Sequence, residues 1–272
     1  MEILAINEID ETSGAKKATG SSFVYEQPLN ERMRTFLRLE FLYQQLVYHG
    51  EQSSAWSSRG AISSLLDILA ILSRGDVRGD VLKELERQAF MLERLKRMQQ
   101  VDEKMLKSAL GNIQKLRTQL SAVGPKFLQV LRDNEFLNTI RHRSSIPGGT
   151  CAFDIPEYTH WLRQDFDRRA ADIGEWGDGI KPLCNGVAEL LWLLRNSKQA
   201  EANTAVKGVY QHALRRDSSI SLVRLGLSRE LNLYPEISGG HHRVSVRFMQ
   251  WSKPNSKPVP FDGDVEFTLS IC

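Results

Sequence analysis

The apolar positions of this chain keep a helical period over most of its length and change to strict alternation soon after residue 200. Near the start, "SSFVYEQPL" reads as one short strand. After Pro28, with Asn30 placed to cap, "ERMRTFLRLEFLYQQLVY" sets Met33, Phe36, Leu37 and Phe41 at helical spacing, with Arg32, Arg34 and Glu40 elsewhere on the wheel. Two helical stretches, 61–73 and 77–98, flank "SRGD", where Gly75 suits a helix stop. They predict an antiparallel hairpin with Arg74 and Arg78 at its tip. A further helix carries Leu106, Leu110, Ile113, Leu116 and Leu120 up to Gly124-Pro125, the order expected just past a helix end, and two shorter helices run to about Arg143.

The segment "SSIPGGTCAFDIPEY" then interrupts the helical pattern. Pro147-Gly148 occupy the positions favoured by a type II turn, and the apolar run behind them predicts a strand inserted in the helical half. Helices return in "PEYTHWLRQDF" and in "KPLCNGVAELLWLLRNS", the latter with Leu183, Val187, Leu190, Leu191 and Leu194 on one stripe. Beyond "SKQAEANT" the period is two. Val223, Leu225 and Leu227 point one way with Leu222 and Arg224 opposite, and Val265, Phe267, Leu269 and Ile271 oppose Glu266, Thr268 and Ser270. The fold class is therefore α+β. A helical domain of antiparallel helices is expected over 27–145 and 157–200. A mostly antiparallel β domain is expected over 21–26, 146–156 and 203–272, and a flexible N-terminal extension over 1–20.

In "GGHHRVSVRFMQW" (239–251), strand geometry puts Val244, Val246 and Phe248 on one face and Arg243, Ser245 and Arg247 on the other. Two fixed cations then stand about 13 Å apart, four strand steps, with a small serine between them. Charge bookkeeping adds weight to this strand. The net charge is +3, and residues 203–272 hold nine Lys/Arg against six Asp/Glu, so the whole excess lies in the last quarter of the chain. Guanidinium forks on a rigid strand lose little freedom when they grip carboxylates or phosphates, which favours an acidic ligand. The bland alternative is an ion pair between Arg247 and Glu266 on a neighbouring strand, although one glutamate cannot neutralise Arg224, Arg243, Arg247 and Lys253 together.

Other chemistry finds less support. His241 and His242 are adjacent, so on a strand they point to opposite faces and cannot both reach one metal ion easily. Cys151, Cys184 and Cys272 are widely spaced, which suits reduced thiols, and Cys151 sits among apolar neighbours as a small core residue would. No phosphate-binding loop, dinucleotide fingerprint, nucleophile elbow or zinc-protease signature occurs, so nothing asks for catalysis, a cofactor or a metal. The start of the chain lacks the apolar stretch of a signal peptide, and no run approaches the ~18 apolar residues that span a bilayer. A cytosolic protein without a membrane partner is expected. The rival from another class is a nucleic-acid-binding module that uses the same basic sheet, with Trp251 and Phe248 as stacking residues; alternation argues against Phe248, which faces the core.

Four stretches, "QPLNERMRTFLRLEFLYQQL", "LSRGDVRGDVLKELERQ", "SIPGGTCAFDIPEY" and "LYPEISGGHHRVSVRFM", together resemble the ZapD (Z-ring-associated protein D) family of bacterial cell-division proteins. The resemblance runs from about residue 22 to the end. It implies a non-enzymatic, cytoplasmic homodimer at the division site, joined through its helical domains. Each subunit would bind the C-terminal tail of the tubulin-like protein FtsZ, and the dimer would crosslink filaments. The family's tail site uses an arginine from the helix-hairpin tip and two from one late strand, which by motif fall on Arg74, Arg243 and Arg247. The two strand arginines selected by alternation are the same two. Arg78 and Arg224 are weaker additions chosen by sequence proximity and strand face. His242 is a third, because "GGHHR" has histidines where some relatives are expected to carry lysine, which predicts a pH dependence of binding near the ordinary histidine pKa.

Overall fold

The computed structural model describes residues 22–95, 103–123, 128–214, 220–240, 242–251, 253 and 255–272. The expected extension over 1–20, His241 and the end of the 77–98 helix lie outside the described residues. The chain divides into two compact units: one comprises the chain up to Arg34 with Leu193–Cys272, the other Thr35–Trp192. With helices and antiparallel sheets both present, the fold is α+β, as the periodicities indicate.

The Thr35–Trp192 unit is helical. Helix α1 (Glu31–Gly50) enters it, started by Asn30, whose side chain accepts the Met33 N–H at 2.8 Å. Its buried stripe is Met33, Phe36, Leu39 and Leu46, so Leu39 takes the place expected for Phe41, which is 58% exposed. Helix α2 (Ala55–Leu72) is capped by Ser54 and buries Ala61, Ile62, Leu65, Ile68, Leu69 and Leu72. At mean hydropathy 1.2 over 18 residues it is the one described helix long and apolar enough to cross a membrane, against the expectation that no run approaches that length. Half of that window is buried inside the protein, as in a core helix. Helix α3 (Val77–Leu95) packs most closely along α4 (Glu103–Ala122), while α2 packs against α6 (Glu135–Ser144), α7 (Pro156–Leu162) and α8 (Phe166–Asp178). The two arms of the expected α2–α3 hairpin thus lie closer to other helices than to each other. Short α5 (Gln129–Arg132) precedes α6, and α9 (Lys181–Arg195) buries the stripe Leu183, Val187, Leu190, Leu191 and Leu194.

Arg169 of α8 is 5% exposed and is satisfied entirely by oxygens without net charge: the carbonyls of Ser53, Ser54 and Gln164 and the Ser58 hydroxyl. A buried guanidinium must make its hydrogen bonds or incur a large desolvation cost, so these contacts fix the entry into α2. The strand expected over 146–156 does not form. Its N–H groups bond locally instead, Gly149 to Ile146 O at 2.8 Å, Cys151 to Gly148 O at 3.0 Å and Asp154 to Cys151 O at 3.1 Å, making successive turns within the helical unit. Gly148 has φ +74°, a left-handed conformation that lets the turns begin.

The other unit is a β-sandwich in which every strand pair is antiparallel. One sheet has the order β1 (Ser22–Pro28), β4 (Leu222–Ser228), β8 (Val265–Ile271), β2 (Glu201–Ala205); the other has β3 (Val209–Ala213), β6 (Arg243–Gln250), β5 (Leu233–Gly239), with β7 (Val259–Pro260) also on β6. A left-handed pair, Lys207 at φ 50° and Gly208 at φ 68°, turns β2 into β3 and so carries the chain from one sheet to the other. The core interleaves Val223, Leu225 and Leu227 of β4 and Val265, Phe267 and Leu269 of β8 with Val244, Val246 and Phe248 of β6. The Phe248 and Phe267 rings lie 5.3 Å apart across the sheets.

Candidate functional site

The inward set of β6 dictates its outward set. Because Val244, Val246 and Phe248 are each at most 1% exposed, Arg243, Ser245 and Arg247 must leave the sheet on its outer face. Register supplies their neighbours. Val209 of β3 and Glu236 of β5 flank Arg247, Gln211 and Ser238 flank Ser245, and Ala213 stands beside Arg243. These companions are neutral or apolar apart from Glu236, so one carboxylate in register stands against the two cations.

Both arginines are exposed, and among the described residues neither guanidinium enters a hydrogen bond or an ion pair. The suggested partner Glu266 is not a neighbour at all, for it lies on β8 of the other sheet in register with Thr204. Glu236, not Glu266, is the carboxylate opposite Arg247. A turn centred on Gly239-Gly240 would put Glu236 opposite Arg243, so the local turn signal misplaces it; the observed register, with Gly239 beside Val244, sets it against Arg247.

Arg224 behaves differently. It sits on β4, in the opposite sheet, with Glu26 across from it on β1. Its Nε donates to Glu26 Oε1 at 2.9 Å and its terminal nitrogen to the Arg195 carbonyl at 3.0 Å, while Arg195 grips both oxygens of the same carboxylate at 2.8 and 2.7 Å. Burial alone would raise the Glu26 pKa, but hydrogen bonds and charge from Arg195 and Arg224 outweigh it and hold the carboxyl below its ordinary value. Arg224 is therefore removed from the candidate face: its charge is already answered inside the protein.

The remaining candidates lie elsewhere. Arg74 is exposed in the α2–α3 connection of the helical unit. Arg78, half-buried on the first turn of α3, donates to the carbonyls of Leu120 at 3.0 Å and Ser121 at 3.3 Å, closing the end of α4. His242 is exposed just before β6, and its carbonyl accepts the Leu214 N–H at 2.8 Å.

Nucleophile chemistry is poorly served. Burial pushes the Cys184 and Cys272 thiols upward, away from the reactive thiolate, and Cys151 Sγ donates to Asp154 Oδ2 at 2.9 Å within the turns. Among the described residues no three His, Cys, Asp or Glu side chains gather as metal ligands. Phe248 is fully buried, so it cannot stack on a base; Trp251, 49% exposed, could.

Fold and face together define an α+β protein with a helical unit, a β-sandwich unit and a sheet that carries two exposed arginines. A family model described as cell division protein ZapD matches residues 37–247. The chain is 36% identical over 252 residues to the cell division protein ZapD of Methylococcus capsulatus, covering 93% of this chain and 98% of that protein. It is 37% identical over 250 residues to that of Ralstonia pickettii and 36% over 249 residues to that of a Janthinobacterium species, covering 92% of this chain and 98% of each relative. The chain belongs to the ZapD family of cell division proteins.

Proposed function

We propose that this protein is a non-enzymatic division factor that binds the C-terminal tail of FtsZ through Arg74, Arg243 and Arg247. As a cytoplasmic homodimer at mid-cell it crosslinks and bundles FtsZ filaments, which promotes Z-ring assembly and stability. The observation that carries this reading is the pair of exposed guanidiniums at the i and i+4 positions of β6, unpaired among the described residues, on a sheet face with Glu236 in register. Such forks suit the carboxylates of a short acidic segment. Ordering a flexible tail costs free energy, and exposed ion pairs contribute modestly, so one engagement is weak. Two sites on a dimer facing many tails on a filament convert the second engagement into an intramolecular event, raising avidity by roughly 10²–10⁴.

Co-sedimentation with FtsZ filaments, with and without the FtsZ tail, tests this directly. Bundles should pellet with full-length FtsZ and not with the tail-less form. They should also dissolve steeply with salt, as the screening length falls from about 10 Å at 0.1 M to about 3 Å at 1 M. Equal pelleting of tail-less FtsZ would overturn tail binding. A monomer in sedimentation equilibrium at working concentration would overturn crosslinking by a dimer.

A further inference from the structure

The helical unit holds a small cleft beside Arg74 whose chemistry is not explained by packing. Helix α2 ends at Leu72, the Ser73 N–H returns to Leu69 O at 3.0 Å, and α3 restarts at Val77 with Asp76 Oδ1 accepting the Gly79 N–H at 2.9 Å. Leu72, Val77 and Leu128 form an apolar floor, each under a tenth exposed, and Gly75 leaves one wall low. Arg78 and Arg132 stand at its rim. The space is about 110 Å³, room for a few waters or one side chain and far below the ~300 Å³ at which small-molecule pockets begin.

How those two arginines are held decides the cleft's charge. Arg78 donates to the carbonyls of Leu120 and Ser121, and the Arg132 terminal nitrogen donates to the Leu72 carbonyl at 3.4 Å. Carbonyl partners fix a guanidinium in place without cancelling its charge, and each fork keeps donors to spare. Among the described residues of the lining Asp76 is the one acid, and its carboxylate serves the start of α3. Two cations against one acid leave the rim with a net positive charge, and the apolar floor is sized for one side chain, which together match an aliphatic residue with a carboxylate neighbour.

We propose that this cleft receives one aliphatic side chain of the bound tail while the acidic residue next to it meets Arg132 at the rim, and that Arg132 is a further tail-binding residue. This rests on the tail-binding reading above. The probe is a fluorescein-labelled peptide of the FtsZ C-terminal tail, titrated by anisotropy against the full chain and against Arg132→Gln and Arg132→Lys. Loss of one charge-assisted contact should weaken Arg132→Gln about tenfold, with Arg132→Lys in between. Unchanged affinity in Arg132→Gln, with only a lower melting temperature, would mean that Arg132 merely braces the end of α2, and the proposal falls while tail binding stands. If the wild-type chain does not bind the peptide, both fall. A double-mutant cycle separates binding from folding: changing each peptide acid to its amide should reveal one whose effect vanishes in Arg132→Gln. If no acid couples to Arg132, the proposal is overturned.

Discussion

Arg224 and Arg247 belong to the same sandwich, and each has a glutamate across from it in register, yet only Arg224 is bonded to its glutamate. The Glu26 site is three-quarters or more shielded at every member, with side-chain exposures of 19% for Glu26, 23% for Arg224 and 24% for Arg195. Water is scarce there, so unpaired charge is costly and the groups close on one another. Glu236 and Arg247 are both exposed, where hydration competes with the pair and the gain is small. Register brings charges opposite each other, and burial decides whether they bond. An exposed arginine of this kind stays available to a partner that brings its own surface to exclude water.

The sharpest way to break this contrast is to reverse the open charges. Arg243→Glu or Arg247→Glu should abolish sedimentation of FtsZ bundles while leaving the melting temperature within about 1–2 °C of wild type, since exposed substitutions away from packed features rarely cost more than about 0.5 kcal/mol. A large loss of stability would mean that these residues serve the fold. Glu26→Gln should show the opposite phenotype. It leaves two shielded guanidiniums around a neutral amide, which should lower stability by roughly 2–4 kcal/mol and leave binding of the tail peptide unchanged.

The same substitution gives a pH test. The folded pKa of Glu26 is lowered from the ordinary 4.5, so its contribution is present above that value and is lost as pH falls through the folded pKa. Urea unfolding should show the full gap between wild type and Glu26→Gln at pH 7, and a closing gap below about pH 4.5. A gap that widens in acid would contradict the assignment of Glu26 as the ionised centre of the cluster.

Much of the sandwich was legible because alternation is a local signal: the buried sets of β4, β6 and β8 can be counted along each strand. The Asn30 cap and the α9 stripe were legible for the same reason. Strand order was not, because it depends on pairings between distant segments, and this is why Glu266 was matched with Arg247 although their strands lie in different sheets. Glu26 and Arg224 are 198 residues apart, and no local pattern announces that they meet, nor that Arg195 joins them. The apolar run after Gly149 resembles a strand in composition, but it is the turn bonds that satisfy its backbone. Arg132 gave no signal either, since a single arginine ending a four-residue helix looks like ordinary surface.

The smallest expected effect probes the open face most finely. Glu236 is the acid in register with Arg247 and it is exposed, so its present influence is a diffuse attraction across the sheet. Cross-strand charge pairs of this kind contribute about 0.2–1 kcal/mol. A bound tail must compete with that attraction, and Glu236→Gln removes the competitor while keeping the side chain's size and reach. Peptide affinity should therefore rise by roughly two- to fivefold at low salt, with no change in melting temperature, and the gain should shrink as salt is raised. A weaker affinity in Glu236→Gln would show that the glutamate orients Arg247 for the tail, and the open face would then be a prearranged pair like the one around Glu26.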